Sequence, residues 1–352
     1  MIFGKKSLTE KKRDNQILAR DNFRAGEVKV SHYPLVIYIE PTSVCNLSCP
    51  MCPVAMGLPE YQYSEKFIEM NVIEALDEPL QYAIRCFMSG GGEPFLHPYF
   101  ISLLEVVRGY DAEVIFNTNG TLITKEIALH LVKMSIHTIS FSIDGISADK
   151  YRNIRKGAEL EQVIEGILLI QEEKRNLGVE RPYLNMQFTL MKDNIDELMG
   201  TVQFAYSLGL NHLVIEPLSP VFSFDSVYQD FFKRHYVEVE AELVQSLLKL
   251  KEQARARIFF SSHYLEEKEV PKRCAQPWIN FGVRTDGRVF LCCGTSERMG
   301  SLKEEDFQSI WNGALYQGVR AQIGSGRYPE ICRLCLEEAR SPGFNSDLML
   351  VE

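Results

Sequence analysis

The chain lacks any run of the roughly 18 consecutive apolar residues that a helix needs to cross a bilayer. Residues 1–30 are rich in Lys and Arg but contain no apolar core of a secretory signal peptide. Nine cysteines without such a signal fit a reducing compartment better than a disulfide framework. We therefore expect a cytoplasmic protein without a membrane span, whose thiols serve another purpose.

The sequence also has fewer basic than acidic residues. It contains 38 Lys and Arg against 47 Asp and Glu, which gives a net charge of −9. Binding to nucleic-acid phosphates needs a basic field, so we expect no nucleic-acid partner. The length of 352 residues and the hydrophobic fraction of 45% allow a large core. They predict one large domain and a small one.

The sequence does contain a dense group of thiols. Cys45, Cys49 and Cys52 form a CxxxCxxC motif just after the apolar run 35–39. A cubane cluster has four irons and usually takes four thiolates, so three thiolates leave one iron open to another ligand. A zinc loop, which needs a fourth ligand, and reduced thiols without a metal are the alternatives.

From about residue 33 onward, short apolar runs alternate with amphipathic stretches, which is typical of βα units and a parallel sheet. Strands are predicted at 36–40, 84–88, 113–117, 138–143, 184–190 and 212–216, and helices at 101–109, 125–134, 160–178 and 194–208. Six such units predict an α/β fold with a partial (β/α)6 TIM-type barrel. Parallel barrels place their chemistry at the C-terminal ends of the strands.

Polar residues follow the predicted strands at these ends. GGGEP at 90–94 follows the second strand, Asn117 and Asn119 end the third, and Ser142 and Asp144 end the fourth. With the cysteine loop after the first strand, this order resembles the radical S-adenosylmethionine (radical SAM) enzymes. The resemblance implies that the three thiols hold a [4Fe–4S] cluster, whose open iron binds the methionine part of SAM. It also implies cleavage of SAM to a 5'-deoxyadenosyl radical.

The resemblance further implies which residues contact SAM. The loop expected to hold the methionine ammonium comprises Gly90, Gly91, Gly92 and Glu93. Glycine there allows close backbone approach and positive φ angles. Other expected contacts to SAM or substrate are Met51, Asn117, Asn119, Ser142, Asp144, Arg155, Gln187, Glu216 and Leu218. Ordinary turns, a surface arginine at 155 and core packing at 51 are the alternatives.

A second group of cysteines lies near the C-terminus. An Asp-Gly pair at 286–287 between apolar stretches predicts a hairpin, which brings Cys274 and Cys292 towards one end. A helix is predicted to begin in 306–312, and Cys332 and Cys335 form a CxxC pair. The phrase Ser-Ile-Trp-Asn and the Gly-x4-Cys spacing that ends at Cys292 resemble the SPASM/Twitch extension of radical SAM enzymes.

A full SPASM domain carries seven cysteines for two auxiliary clusters, whereas fewer are present here. The resemblance therefore favours the shorter Twitch form with one second [4Fe–4S] cluster. Spacing assigns its ligands as Cys274, Cys292, Cys332 and Cys335. Cys293, adjacent to Cys292, is the competing ligand, and zinc is the competing metal.

We predict four regions along the chain. They are an N-terminal extension at 1–32, a radical SAM core at 33–225, a linking helix within 226–268, and a small C-terminal α+β iron–sulfur domain (hairpin plus helix) at 269–352. The linking segment is expected to form one long helix at 230–256. The small domain is expected to cap the barrel.

The resemblance implies a radical SAM oxidoreductase that abstracts a substrate hydrogen. We expect it to oxidise a small molecule such as a sugar or cyclitol, with an electron donor such as flavodoxin or ferredoxin. Residues 1–32 show no winged-helix leader-binding pattern, which favours a small molecule over a peptide. A peptide maturase (crosslinking, thioether formation or epimerisation) and a non-catalytic metal-binding interaction protein are the alternatives.

Overall fold

The computed structural model describes residues 7–219, 225–255, 258–262, 265, 273–292 and 297–332. The strands are β1 Val36–Ile39, β2 Arg85–Met88, β3 Glu113–Thr118, β4 Thr138–Ser142, β5 Tyr183–Leu190, β6 His212–Pro217, β7 Phe259–Ser262, β8 Asn280–Val283, β9 Arg288–Phe290 and β10 Gly300–Ser301. The helices are α1 Leu8–Ala25, α2 Met70–Glu74, α3 Asp77–Leu80, α4 Phe100–Arg108, α5 Lys125–Lys133, α6 Ala148–Ile154, α7 Leu160–Leu177, α8 Thr201–Ser207, α9 Ser226–His235, α10 Ala241–Ala254, α11 Gln276–Ile279, α12 Phe307–Trp311 and α13 Ala314–Gly324. No helix among these residues is long and apolar enough to cross a membrane.

The strands form one sheet in the order β10-β9-β8-β1-β2-β3-β4-β5-β6-β7. The strands β1 to β7 are parallel neighbours in chain order. All six predicted strands are confirmed, and each overlaps its predicted range. Within the described residues β7 and β10 are the two edges, so the predicted partial barrel is an open, mostly parallel sheet.

Burial alternates along the strands and separates two faces of the sheet. Phe116 and Met186 are fully buried, while their neighbours Asn117 and Gln187 are half-buried. Phe116 packs edge-on against Phe100 of α4 at 5.3 Å between ring centroids, so the buried face lies against helices. The opposite face, here called the polar face, carries the half-buried side chains and forms the site.

The predicted single helix at 230–256 is wrong. The chain leaves α9 at Tyr236, which is extended, and α10 begins only at Ala241. The break is fixed because the Lys192 amide donates to the His235 carbonyl at 2.9 Å and His235 Nδ1 lies 2.5 Å from Asp193 Oδ2. After α10, β7 pairs with β6, so the predicted linking segment contributes a seventh parallel strand.

A smaller departure concerns the predicted helix at 194–208. Its first part is the 3-10 helix Ile195–Gly200, and only Thr201–Ser207 is α-helical. Asn194 explains the irregular start because its side-chain amide donates to the carbonyls of Asp144 and Thr189, each at 2.9 Å. The side chain therefore binds the β4 and β5 ends instead of serving as a helix cap.

The predicted C-terminal hairpin is confirmed, with β8 and β9 antiparallel and Gly287 at a φ of 81° in the turn. A pairing that was not predicted joins β8 to β1 in parallel, with Tyr38 opposite Gly282. The hairpin therefore continues the main sheet. Arg284, directly after β8, comes to the same edge as the residues that follow β1.

The N-terminal extension contains the helix α1. Lys12 Nζ donates to the Asp111 carbonyl at 2.7 Å, which fixes α1 to the loop before β3. Phe23 meets Trp278 edge-on at 5.4 Å between centroids, and Trp278 Nε1 donates to the Glu27 carbonyl at 2.9 Å. The extension thus joins the strands of the main sheet to the C-terminal segment.

Candidate active site

The predicted ligands Cys45, Cys49 and Cys52 lie together in the loop after β1. Burial raises the pKa of Cys45 to about 11, and the other two thiols add to this rise through their charge. The Leu47 amide lies 3.4 Å from Cys45 Sγ, and Arg155 Nη1 lies 3.9 Å from Cys49 Sγ. Three thiols in one loop are the ligand type that iron–sulfur clusters use, so the residue types fit a cluster, while among the described residues no three such side chains are already arranged around a common metal position.

The glycine loop packs directly beneath the cysteine loop. A Cβ atom on Gly92 would lie 2.5 Å from the Val44 carbonyl oxygen, and one on Gly91 would lie 2.5 Å from a methyl of Val54. A Cβ on Gly90 would overlap the Glu40 side chain. These three glycines do not have positive φ angles. Close backbone approach is therefore the property that requires glycine, and a positive φ is not.

Glu93 ties this loop to the end of β3. It is 2% exposed; its Oε1 accepts from Thr118 Oγ1 and its Oε2 accepts from the Asn119 amide, both at 2.7 Å. Burial raises the pKa of Glu93 to about 6. A fixed, buried carboxylate is suited to hold an ammonium group by a charge-assisted hydrogen bond. Its contact with SAM stays a prediction.

Replacing Glu93 with alanine should weaken SAM binding about ten- to a hundredfold, since a hydrogen bond to a charged group contributes roughly 1.5–3 kcal/mol. Equilibrium dialysis of SAM against the reconstituted protein measures this. Glu113→Ala is the matched control, because Glu113 begins β3 and lies at the opposite end of that strand. An unchanged affinity in the Glu93 variant would show that the loop does not bind SAM.

Asp144 and Arg155 form a buried ion pair beside the cysteine loop. Asp144 is fully buried; its Oδ1 accepts from the Thr189 amide at 2.7 Å, and its Oδ2 lies 2.5 Å from Arg155 Nη2. The Arg155 side chain is 16% exposed, so the surface-arginine alternative is wrong. In this arrangement Asp144 orients Arg155 towards Cys49, where a guanidinium can also receive a carboxylate.

Three predicted site residues form a hydrogen-bonded row across the polar face. Asn117 Nδ2 donates to Gln187 Oε1 at 2.9 Å, and Gln187 Nε2 donates to the Glu216 carboxylate. Ser142 is the register partner of Gln187. The ends of β3 to β6 thus present these polar groups together, as the parallel topology predicts.

The other predicted contacts divide into two groups. Asn119 is close to the cysteine loop, because its Nδ2 donates to Asn46 Oδ1 at 2.9 Å and lies 3.9 Å from Cys45 Sγ. Met51 and Leu218 instead belong to the hydrophobic core, at 9% and 2% exposure. Both side chains are thus packed in the core, and their contact with SAM or substrate stays a prediction.

Two residues of this region were not predicted. Glu40 follows β1 and is 1% exposed; its Oε1 accepts from the Gly91 amide at 2.5 Å. Its Oε2 lies 3.3 Å from Arg284 Nη1. Glu40 could have been predicted from the sequence, because it is an acidic residue at the C-terminal end of a strand, where most of the other candidate site residues also lie. Arg284 could be located only through the pairing of β8 with β1.

The predicted auxiliary ligands Cys274, Cys292 and Cys332 are each half-buried. Extending the register of β8 and β9 places Cys292 opposite Asn280. Asn280 directly follows α11, and α11 follows Cys274. Cys274 and Cys292 therefore lie towards the same end of the hairpin, as predicted. Cys335 and Cys293 lie outside the described residues, so the fourth ligand and the choice between Cys292 and Cys293 stay predictions.

A buried cation, Arg320, lies in the core of the C-terminal segment. Arg320 is fully buried, stacks on Trp311 at 4.3 Å, and donates to the carbonyls of Pro277 and Trp311 at 2.9 Å. Among the described residues its Nη2 has no hydrogen-bond partner. Tyr316, also stacked on Arg320, is close enough to interact electrostatically with Cys292. Tyr316 thus joins the surroundings of Arg320 to the cysteine region, and thiolates are the ligands that iron–sulfur clusters use, so the donor set fits an iron–sulfur group.

Comparison with protein families identifies the chain. The profile of the Radical SAM superfamily matches residues 39–205, and that of the SPASM iron-sulfur cluster-binding domain matches 274–336. The chain contains a radical SAM domain followed by a C-terminal SPASM domain. The radical SAM domain binds SAM and a [4Fe–4S] cluster, and the SPASM domain binds auxiliary iron–sulfur clusters. All seven predicted cysteine ligands lie within the two matched ranges.

Curated relatives span most of the chain at low identity. The tungsten-containing aldehyde ferredoxin oxidoreductase cofactor-modifying protein of Pyrococcus furiosus is 23% identical over 339 residues, which cover 86% of this chain and 88% of that protein. The AdoMet-dependent heme synthase of Methanosarcina barkeri is 25% identical over 346 residues, which cover 89% and 94%. The alignments therefore include both the radical SAM and the SPASM domain.

Solved structures share the fold. Streptococcus suis SuiB bound to the precursor peptide SuiA superposes with a TM-score of 0.67 at 15% identity, over 94% of this chain and 79% of that chain. Native anSMEcpe with bound AdoMet gives a TM-score of 0.65 at 19% identity, over 88% and 89%. Both therefore support the predicted α/β fold.

Proposed function

We propose that this radical SAM enzyme oxidises a small polar molecule, with the auxiliary cluster taking up the second electron. The observation that carries this proposal is the hydrogen-bonded row of Asn117, Gln187 and Glu216 on the polar face. Asn117 lies two residues before Asn119, whose amide reaches Cys45. A substrate with hydroxyl groups would find donors and acceptors there, close to the predicted radical source.

The names of the curated relatives support a small molecule or cofactor. The Pyrococcus furiosus protein is named for modifying a cofactor and the Methanosarcina barkeri protein for synthesising haem, and both align over most of the chain. The SuiB structure holds a precursor peptide, but its 15% identity supports only a shared fold. We therefore place oxidation of a small molecule first and peptide maturation second.

In this proposal the reaction is a two-electron oxidation of a secondary alcohol. SAM held at the three-cysteine cluster would supply the radical chemistry that removes the carbinol hydrogen, and this hydrogen would end in the methyl group of 5'-deoxyadenosine. Glu216 would accept the hydroxyl proton, and the cluster held by the C-terminal cysteines would accept the remaining electron, so that the alcohol becomes a ketone. An external donor such as flavodoxin or ferredoxin supplies the electron that SAM cleavage consumes. One SAM is thus used for each product.

The proposal predicts where deuterium goes. The reconstituted enzyme, SAM and dithionite are mixed with a deuterium-labelled cell extract divided into a small-molecule and a peptide fraction. We expect deuterated 5'-deoxyadenosine with the small-molecule fraction and not with the peptide fraction, measured by mass spectrometry. Label arising only from the peptide fraction would replace the proposal with peptide maturation.

The oxidation itself is tested by the mass of the product. In the active fraction prepared from unlabelled extract and run in deuterated water, the product should be two hydrogens lighter than its substrate. A product of unchanged formula that carries one solvent deuterium would contradict oxidation, because it indicates epimerisation with a thiol hydrogen donor. Cys293 is the candidate donor in that case, since it has no ligand role in the predicted assignment.

A further inference from the structure

The SPASM domain contributes the charged side chain of Arg284 to the sheet edge where the glycine loop at 90–93 lies. Because β8 is parallel to β1, Arg284 after β8 and Glu40 after β1 emerge side by side. The glycine loop after β2 is the next neighbour along the same edge. The three segments come from distant parts of the sequence and meet only through strand pairing.

A series of contacts connects the three segments. The Arg284 side chain is 18% exposed and its Nη1 lies 3.3 Å from Glu40 Oε2. The other oxygen of Glu40 accepts from the Gly91 amide at 2.5 Å. Arg284 is itself held on the ring of Phe290, 4.2 Å from the centroid. Phe290 belongs to β9, two residues before the predicted auxiliary ligand Cys292.

The charge of Arg284 affects Glu40, and the charge of Glu40 affects its hydrogen bond with the Gly91 amide. The pKa of Glu40 is raised, chiefly by burial, and the positive charge of Arg284 and the Gly91 amide oppose this rise. A buried carboxylate that loses its cation becomes neutral or strongly destabilising. A neutral Glu40 would hold the Gly91 amide less strongly than the carboxylate does, since charge-assisted hydrogen bonds are about twice as strong.

We propose that Arg284 is a positioning residue that links the SPASM domain to SAM affinity, acting on the glycine loop through Glu40. Arg284 does not need to touch SAM in this arrangement, because the Gly91 amide transmits the effect. The proposal rests on the predicted role of the glycine loop in binding SAM. Changes in the SPASM hairpin that move Arg284 would therefore alter how the radical SAM domain holds SAM.

Three variants test the link. We expect Arg284→Met and Glu40→Gln each to weaken SAM binding by about tenfold, and the double variant to bind no more weakly than either single variant. Glu40→Gln preserves side-chain size, and the double variant leaves no unpaired buried charge, so at least one of the set should fold. SAM affinity by equilibrium dialysis and iron content are measured on the reconstituted full-length protein.

Arg288→Met is the matched control on the same hairpin. Its guanidinium pairs with Asp286 at 2.7 Å and has no contact with Glu40 among the described residues. It should leave SAM affinity unchanged. Equal SAM affinity in Arg284→Met and Arg288→Met, or additive losses in the double variant, would overturn the proposal. If Glu93→Ala also left affinity intact, the role of the whole loop would be wrong, whereas a normal Glu93 effect would confine the failure to Arg284.

Discussion

Replacing Cys45, Cys49 and Cys52 together with alanine should remove about half of the iron, since one of two four-iron clusters is lost. Formation of 5'-deoxyadenosine should cease. Both losses should be large because the triple variant removes every cysteine of this loop, and with them all the predicted protein ligands of this cluster. Iron analysis after anaerobic reconstitution and chromatography of the reaction with SAM and dithionite measure the two effects.

Cys86→Ala is the control for loss of a cysteine as such. Cys86 is fully buried within β2, on the face that packs against the helices. Its replacement should lower stability by the loss of packing only and leave iron content and SAM cleavage intact. Undiminished 5'-deoxyadenosine in the triple variant would contradict the assignment of the cysteine loop.

Local patterns in the sequence were sufficient for the six strands β1 to β6. Each is a short apolar run followed by a helical pattern, and this repetition predicts parallel order. The strand β7 was missed because Phe259–Ser262 ends in two serines, while Phe259 is 80% exposed. Such a strand lacks the apolar run that prediction from one sequence requires, and it forms because β6 offers an unpaired edge.

The sequence was sufficient to place polar side chains near one another where position along a strand decides their location, and their roles stay predictions. The row from Asn117 to Glu216 follows from parallel strands ending at one edge. The direction of a side chain was harder to predict, since Leu218 lies at a strand end yet packs in the core. Likewise the sequence could not show that Asp144 acts through Arg155, because that ion pair depends on how the chain after α6 returns to the cysteine loop.

The pairing of β8 with β1 was beyond sequence reasoning for a different reason. Tyr38 and Gly282 are opposite one another in the register, yet no local pattern relates two segments so far apart. Sequence analysis therefore predicted that the C-terminal segment forms a separate domain that caps the barrel. The continuous sheet places Arg284 beside Glu40 and makes the SPASM hairpin a neighbour of the glycine loop at 90–93.

The second cysteine set predicts the other large effect. The wild-type protein should contain about eight irons per chain, and Cys274→Ala or Cys332→Ala should each lower this to about four, since one four-iron cluster is lost. SAM cleavage without substrate should persist, because the three-cysteine loop is intact. Metal analysis and Mössbauer spectroscopy after anaerobic reconstitution measure both the number and the type of clusters.

The same experiment decides between iron and zinc and between adjacent cysteines. About four irons with one zinc in the wild-type protein would show that these thiolates close a tetrahedral zinc site. Cys293→Ala should retain the second cluster and Cys292→Ala should lose it, because the hairpin register places Cys292 opposite Asn280, beside the helix that follows Cys274. The reverse result would move the ligand by one position. It would also leave Cys292 as the thiol available for hydrogen donation in an epimerase reaction.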